Sequence, residues 1–271
     1  MNTLEVEGLH VWDEATGLSI VRDSSFRLRQ GQCLAIVGES GSGKSMTCKA
    51  IMRLNQGSIR QSGRILLSGE DIGALSQREM RKRRGKQIGM IVQNGMAAFD
   101  PSRPVGVHLR ETLRTHFDWS RSEAESAMCA AMESVMLHKP VEVMNKYPHQ
   151  LSGGMLQRVM IALALALKPD VIIADEPTTA LDAISQYEVV EQLVRLREQV
   201  GCSLLFISHD LGVVKRIADD VVVMKDGAIV EQGSVESVFT ACRHPYTQYL
   251  LDSRLMLSQH FQSVMGGVLH A

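Results

Sequence analysis

The sequence of 271 residues predicts an α/β fold: a mixed sheet core with an antiparallel N-terminal β-subdomain and an inserted α-helical subdomain. Three patterns predict it. Two N-terminal stretches alternate apolar and polar residues, several short apolar runs lead into helical stretches, and a long region without strand patterns separates the early runs from the late ones. One domain with an insertion also suits this length better than two independent domains.

The N-terminal part predicts strands and then a loop that leads into a helix. Thr3–Val11 and Ile20–Leu28 have partly alternating apolar residues, which is typical of half-buried antiparallel strands. Cys33–Val37 is continuously apolar, as expected of a strand that is covered on both faces. A loop rich in Gly and Ser follows, and Lys44–Leu54 is predicted to be a helix.

The rest of the chain is predicted to be helical first and then to return to alternating strands and helices. Ser102–Leu167 is rich in Ala, Met, Leu and Glu and has no convincing strand. Val171–Ala174 and Ser203–Ser208 resemble buried strands, each with a helical stretch after it, and the chain is helical again from about Ser234. The predicted units are a core of residues 1–93 and 171–238, a helical subdomain of residues 94–170 and a short C-terminal extension of residues 239–271.

Composition excludes several classes of protein. The net charge of −1 argues against a nucleic-acid partner. The basic run from Arg78 to Lys86 contains Glu79 and no aromatic residue, so it is interpreted as a solvated helix face. The five cysteines are scattered with no pair at C-x-x-C spacing, which is typical of reduced thiols in a cytosol. The nine histidines are dispersed without metal-ligand spacing and are interpreted as structural or surface residues, apart from His209. The N-terminus lacks the pattern of a secretory signal, and the apolar stretch Val159–Leu167 is too short to span a bilayer.

A phosphate-binding loop follows the first buried strand. It matches G-x-x-x-x-G-K-[ST] and stands between a predicted strand and a predicted helix. The alternative is a Gly/Ser-rich turn that contains a lysine by chance, and the position between a strand and a helix argues against it. Backbone N–H groups and the helix N-terminus can then face phosphate oxygens. Lys44 is expected to reach the β- and γ-phosphates and Ser45 to bind Mg²⁺. The residues of this phosphate loop, all predicted to bind ATP, are Gly38, Glu39, Ser40, Gly41, Ser42, Gly43, Lys44 and Ser45.

Two carboxylates end a later buried strand. Asp175 and Glu176 follow the apolar residues 171–174, at the edge where α/β sheets present ligand groups. Asp175 is expected to hold Mg²⁺ and Glu176 to polarise the water that attacks the γ-phosphate. Acidic residues also end strands at ordinary turns, and Pro177 fits that alternative. The phosphate loop elsewhere in the chain favours the catalytic interpretation.

A further glycine-rich segment decides between classes of nucleotide-binding protein. The Asn145-Lys146 pair lacks the aspartate of a guanine-binding motif, which argues against a GTPase. Leu151-Ser-Gly-Gly-Met155, here called the signature loop, is followed by a helical stretch and resembles the signature motif of ABC ATPases. Its free N–H groups at a helix start favour an anion, and a partner chain's nucleotide is the simplest candidate.

The resemblance covers nearly the whole chain and implies further roles. Gln93 resembles the glutamine that contacts Mg²⁺ and the attacking water, and Ala180-Leu181-Asp182 resembles the D-loop, with Asp182 as its predicted site residue. His209 resembles the histidine that contacts the γ-phosphate. In the family, two subunits enclose two ATP molecules between the phosphate loop of one chain and the signature loop of the other. Ser152, Gly153, Gly154 and Met155 would then contact the partner's nucleotide.

Two features depart from the common family pattern. Met155 stands where the signature motif usually has glutamine, and we expect activity to survive because backbone donors matter more than that side chain. The aromatic residue that stacks on adenine is not cleanly placed. Trp12 is the candidate, since base stacking contributes about 1–3 kcal/mol, and an ordinary strand-end tryptophan is the alternative.

Two segments indicate the kind of transporter. Residues 94–101, just after Gln93, and His244–Leu251 resemble motifs of importers for oligopeptides, dipeptides and nickel. Within that group the chain resembles the ATP-binding subunits of nickel, cobalt or metallophore importers. The alternatives are a peptide importer and, from other classes, a soluble ABC ATPase of DNA repair or translation, or a kinase with a phosphate loop.

The resemblance also implies partners and a location. Such importers usually combine two different ATPase subunits, two membrane permease subunits and an extracytoplasmic solute-binding protein. The chain would therefore lie on the cytoplasmic face of the membrane as a peripheral subunit, with contacts to the permease near residues 94–114.

Overall fold

The computed structural model describes residues 1–179 and 181–253. The strands are β1 (Asn2–Asp13), β2 (Ser19–Arg29), β3 (Cys33–Val37), β4 (Ile59–Leu67), β5 (Glu70–Asp71), β6 (Ile88–Ile91), β7 (Val171–Asp175), β8 (Ser203–Ile207), β9 (Asp220–Lys225) and β10 (Ala228–Ser234). The α-helices are α1 (Lys44–Ile51), α2 (Gln77–Arg83), α3 (Val105–His116), α4 (Arg121–Ser134), α5 (Pro140–Met144), α6 (Gly153–Leu167), α7 (Ala183–Val200), α8 (Leu211–Ile217) and α9 (Val235–Thr240). Residues 245–253 are also helical.

The first sheet is antiparallel and has the strand order β2-β1-β4-β5. The predicted pairing of the first two strands is confirmed, with Val6 opposite Phe26 and Leu4 opposite Leu28. These four side chains are buried, while Arg27, between Phe26 and Leu28 on β2, is exposed. The alternation in the sequence therefore reflects a sheet with one covered face.

The second sheet has the order β10-β9-β3-β8-β7-β6. Its neighbours from β9 to β6 are parallel, and β10 joins β9 in the antiparallel direction. Every residue of β3, β7 and β8 is buried, as the continuous apolar runs predict. Because β3 and β7 run in the same direction, the segments that follow them emerge at one edge of the sheet.

Helices α3 to α6 come between β6 and β7 along the chain, as the strand-free region predicts. Ser120 and Glu123 form a capping box at the start of α4, and the Ser152 hydroxyl accepts a hydrogen bond from the Met155 N–H at the start of α6. These caps satisfy N–H groups that a helix start leaves without partners. Both helix starts therefore follow from local sequence.

The basic run lies on α2 and just beyond it. Arg78, Arg81 and Lys82 are exposed, which fits the solvated face. Arg84 has a different place, since its guanidinium donates to the carbonyl oxygens of Met52 (2.9 Å) and Arg53 (2.8 Å). It therefore satisfies carbonyl groups just beyond α1, which the sequence did not indicate.

Strand β3 lies between two hydrophobic cores. Cys33, Ala35 and Val37 face a core built with α3 to α7, whereas Leu34 and Ile36 face a core built with the antiparallel sheet and α1. All five side chains are at most 4% exposed. The loop that follows β3 is therefore attached to the centre of the molecule.

Candidate active site

The phosphate loop connects β3 to α1 and is closely surrounded. A Cβ atom at Gly38 would lie 2.2 Å from the Met224 carbonyl oxygen, and one at Gly43 would lie 3.1 Å from the Ile20 carbonyl oxygen. Gly43 also has φ +100°, a conformation that L side chains rarely adopt. Both glycines are therefore required by the path of the loop between β2 and β9.

Lys44 is 4% exposed and bonded to the loop that precedes it. Its Nζ donates to the carbonyl oxygens of Gly38 and Glu39, both at 2.8 Å. Burial lowers the pKa of the Lys44 ammonium, while the charges of Glu176 and Asp175 oppose that shift. The ammonium thus lies inside a curved loop whose backbone can surround an anion.

Asp175 and Ser45 meet across the site. The Ser45 hydroxyl donates to Asp175 Oδ1 at 3.0 Å, although the two residues belong to different elements. Burial raises the pKa of the Asp175 carboxyl, against the hydrogen bond from Ser45. A buried carboxylate beside a hydroxyl oxygen is a donor set that suits Mg²⁺, so these residues fit the metal that the sequence predicts.

Three side chains converge on one oxygen of Glu176. Thr179 Oγ1 donates to Glu176 Oε2 at 2.9 Å and Gln93 Nε2 donates to it at 3.2 Å. His209 Nδ1 lies 3.5 Å from the same oxygen. The structure therefore brings the three predicted catalytic residues, Glu176, Gln93 and His209, into one cluster.

Thr179 is a member of this cluster that the sequence analysis did not name. Glu176 has φ +44°, and the N–H of Thr179 donates to the Glu176 carbonyl oxygen at 3.2 Å. This turn brings the threonine hydroxyl back onto the carboxylate. Pro177 and two threonines directly after the carboxylates indicate a turn in the sequence, but the contact itself depends on the backbone conformation.

The signature loop lies at the start of α6. Ser152 and Gly153 are exposed, and the atoms within 4 Å of a Cβ built at Gly154 belong to Ser185 and Leu181. Asp182 caps α7, with its Oδ1 accepting from the N–H groups of Ile184 (3.1 Å) and Ser185 (3.0 Å). The signature loop thus contacts the start of α7.

Trp12 lies near the end of β1 and is half-buried. It pairs with Ser19 on β2, and its ring centroid is 5.1 Å from that of His10. The residue after Ser19 is Ile20, whose carbonyl oxygen closely approaches Gly43. Strand pairing thus brings Trp12 to the same end of the molecule as the phosphate loop.

Comparison with known families decides which class of protein this geometry belongs to. The model of the ABC transporter family matches residues 21–179, from β2 through the phosphate loop and the signature loop to Thr179. The chain belongs to the ABC transporter family. It is an ATP-binding ATPase subunit whose activity is coupled to transport.

Two related ABC proteins are ATP-binding proteins of import systems. The metal-staphylopine import system ATP-binding protein CntD of Staphylococcus aureus (strain NCTC 8325 / PS 47) is 47% identical over 270 residues, which cover 100% of both chains. The oligopeptide transport ATP-binding protein OppD of Bacillus subtilis (strain 168) is 45% identical over 255 residues, which cover 92% of this chain and 71% of OppD.

A solved ABC cassette shares the fold. The dimeric structure of MJ0796, described as a bacterial ABC transporter cassette, is 25% identical with a TM-score of 0.76, and the match covers 86% of this chain and 98% of that chain. The predicted ABC fold, with a mixed sheet core, an antiparallel sheet and a helical region, is therefore confirmed.

No helix in residues 1–179 and 181–253 combines the length and the apolar character needed to cross a membrane.

Proposed function

We propose that the chain supplies ATP hydrolysis to an importer of nickel or cobalt, taken up as free ions or as a metal–metallophore complex. One observation carries this proposal: the match to the metal-staphylopine protein extends over the full length of both chains. A di- or oligopeptide importer is the second candidate, because the oligopeptide ATPase is nearly as similar in the part that it shares.

The phosphate loop is proposed to bind the nucleotide phosphates. Lys44 already lies inside the loop, and its ammonium has three N–H donors, so it can donate to β- and γ-phosphate oxygens while it keeps the Gly38 carbonyl as a partner. The loop's N–H groups and the start of α1 add a positive electrostatic potential. Trp12 is proposed to stack on adenine, which its strand pairing beside the loop supports.

Ser45, Asp175 and Gln93 are proposed to hold Mg²⁺. The hydrogen bond between Ser45 and Asp175 and the burial of that carboxyl support this assignment. Bound Mg²⁺ would neutralise charge on the β- and γ-phosphates.

Glu176 is proposed to orient and polarise the attacking water. Its Oε2 is held by Thr179 and Gln93, so the carboxylate has a defined direction. Its other oxygen, Oε1, can accept from water, and His209, whose Nδ1 lies 3.5 Å from Oε2, is proposed to contact the γ-phosphate. Gln93 and His209 therefore connect the position of Glu176 to the bound nucleotide.

The signature loop is proposed to complete the site of a second ABC ATPase subunit, a different chain. Its exposed Ser152 and Gly153 at the start of α6 support this arrangement, with Gly154, Met155 and Asp182 near the same interface. Two permease subunits and an extracytoplasmic binding protein would complete the importer, with this chain on the cytoplasmic face of the membrane. Residues 94–170 would act as the helical subdomain that contacts the permease.

Uptake in cells that carry Glu176→Gln tests the proposal. Because a lost general base costs about 100-fold or more in turnover, nickel and cobalt uptake, with or without metallophore, should collapse while peptide uptake stays normal. Glu198→Gln, on an exposed part of α7, is the matched control and should support normal uptake. Normal metal uptake with impaired peptide uptake would instead assign the chain to the peptide importers.

A further inference from the structure

The C-terminal helical segment, residues 245–253, contacts the phosphate loop through Tyr246. The Glu39 N–H donates to Tyr246 Oη at 3.0 Å, and Tyr246 Oη lies 3.3 Å from Glu39 Oε2, to which it can donate. The two residues are 207 positions apart in the sequence. Tyr246 is only 6% exposed and both hydrogen bonds are partly buried, so the phenol is held within the fold.

The bond to Tyr246 completes the hydrogen bonding of a single peptide unit. The carbonyl of that unit belongs to Gly38 and accepts from Lys44 Nζ at 2.8 Å, while its N–H belongs to Glu39 and donates to Tyr246. In a trans peptide these two groups point in opposite directions. The unit is therefore fixed from both sides, and each bond strengthens the other by polarising the peptide.

The segment around Tyr246 is itself anchored to the core. The Arg243 N–H donates to Glu231 Oε1 at 2.7 Å and the His244 N–H donates to Glu231 Oε2 at 3.2 Å, and Glu231 lies on β10. Lys225 Nζ lies 5.0 Å from the centroid of the Tyr246 ring. The phenol is thus held in place by β9 and β10 independently of the phosphate loop.

The phenol is suited to bond in both directions. Burial raises the pKa of Tyr246, so the hydroxyl stays protonated at neutral pH and can donate to Glu39 while it accepts from the Glu39 N–H. Further along the same helix, Leu250 and Ser253 line a cavity together with Gly38 and His209. The C-terminal segment therefore borders the nucleotide site at two places.

We propose that Tyr246 is a positioning residue of the ATP site: its phenol holds the Gly38–Glu39 peptide in the orientation that fixes Lys44 for phosphate binding. Without the hydroxyl, the Glu39 N–H loses its partner and the Gly38–Glu39 peptide is held from one side only, by Lys44. Loss of the Tyr246 hydroxyl should therefore weaken ATP binding and leave the water-activating group Glu176 unaffected.

Tyr246→Phe tests the role of the hydroxyl, and Tyr249→Phe is the matched control. Tyr249 stacks against Tyr246 with ring centroids 6.4 Å apart and is 56% exposed. Since one net hydrogen bond is lost, Tyr246→Phe should bind ATP about 3- to 10-fold more weakly in titrations of the full chain. In the assembled transporter the KM for ATP should rise by the same factor with kcat nearly unchanged, and Tyr249→Phe should match the wild type.

Glu231→Ala is a second variant that acts through the anchor of the segment and leaves the phenol in place. It should weaken ATP binding in the same direction, which keeps the test informative if Tyr246→Phe folds poorly. Equal ATP affinity in Tyr246→Phe and Tyr249→Phe would overturn the proposal, as would a lower Tm or kcat with an unchanged KM. The proposal depends on the phosphate loop as the ATP site, and a titration of Lys44→Ala tests that assignment separately.

Discussion

The phosphate loop and the signature loop are both glycine-containing loops at the start of a helix, yet their surroundings differ. In the phosphate loop, Lys44 is buried and Ser45 is bonded to Asp175 on another strand. In the signature loop, Ser152 and Gly153 are exposed at the start of α6. One loop is preorganised by its own chain, whereas the other presents a helix N-terminus outward. The difference supports two distinct roles, binding within the chain and completion of a partner's site.

Lys44→Ala should have the largest effect on ATP binding, because it removes the ammonium group from the preorganised phosphate loop. Hydrogen bonds to charged groups each contribute about 1.5–3 kcal/mol, so losing the contacts to two phosphates should weaken ATP binding about 100-fold or more. A nucleotide titration of the full chain measures this. Lys49→Ala removes an exposed lysine from the same helix and is the control. Unchanged affinity in Lys44→Ala would remove the phosphate loop from the nucleotide site.

Gly153→Asp, in the signature loop, should lower ATP turnover without lowering the melting temperature. Among the described residues, a Cβ at Gly153 would come within 4 Å of Leu181 alone, at 3.8 Å, so a side chain fits. An acidic residue at a helix N-terminus stabilises the helix by about 0.3–1 kcal/mol, so Tm should hold or rise, and ATP binding by the single chain should be unchanged. Repulsion of the partner's nucleotide should lower turnover in the assembled transporter by about tenfold or more.

The neutral variant Gly153→Asn controls for side-chain size in that experiment. It should lose less turnover than Gly153→Asp. Normal turnover in the acidic variant would show that this helix start does not face an anion during hydrolysis.

Asp175→Asn should stabilise the chain in the absence of nucleotide and metal. Because burial raises the pKa of Asp175 above its ordinary 3.8, the unfolded chain releases this proton first as the pH rises. The ionised carboxyl therefore destabilises the fold above the raised pKa, and that cost disappears below 3.8. We expect the variant to melt about 1–3 °C higher at pH 7, with a smaller difference as the pH falls toward 4.

Adding Mg²⁺ and ATP to the wild type and to Asp175→Asn tests whether Asp175 binds the metal. They should stabilise the wild type more than Asp175→Asn and so reverse the order of melting temperatures. Equal stabilisation of both proteins, measured by thermal unfolding, would contradict the assignment of Asp175 to the metal.

Met155→Gln should have the smallest effect. It restores the residue that the signature motif usually has, and the Met155 backbone N–H already donates to the Ser152 hydroxyl oxygen at 3.2 Å. Turnover should change by less than about threefold, because the backbone donors of α6 are unaffected. A tenfold increase in ATPase rate would show that the side chain at this position limits the natural protein.

Sequence patterns predicted the parts of the fold that are determined locally. The continuous apolar runs of β3, β7 and β8 are buried on both faces, and the alternating β1 and β2 form the antiparallel pair. The sequence analysis did not name β4, where six of nine residues precede the first buried one. That strand depends on pairing with β1, which a local pattern does not record.

The site was predictable where a motif fixes it and not where distant segments meet. The phosphate loop, Asp175 and Glu176 follow from spacing and from strand ends. Thr179 reaches Glu176 only through a turn with positive φ, and Tyr246 reaches Glu39 across 207 positions. The proposed domain boundaries and residue roles stay predictions, and residue 180 and residues 254–271 of the predicted D-loop and C-terminal extension lie outside the described residues.

The position of β3 between two cores limits how its amide hydrogens can exchange with solvent. Its amides are hydrogen-bonded to β8 on one side and β9 on the other, and its side chains belong alternately to each core. Neither core can open alone and expose this strand to solvent. Deuterium should therefore enter β3 only when the whole chain unfolds, while the exposed end of the signature loop exchanges through local opening. The base of the phosphate loop then keeps its place through every smaller fluctuation of the subunit.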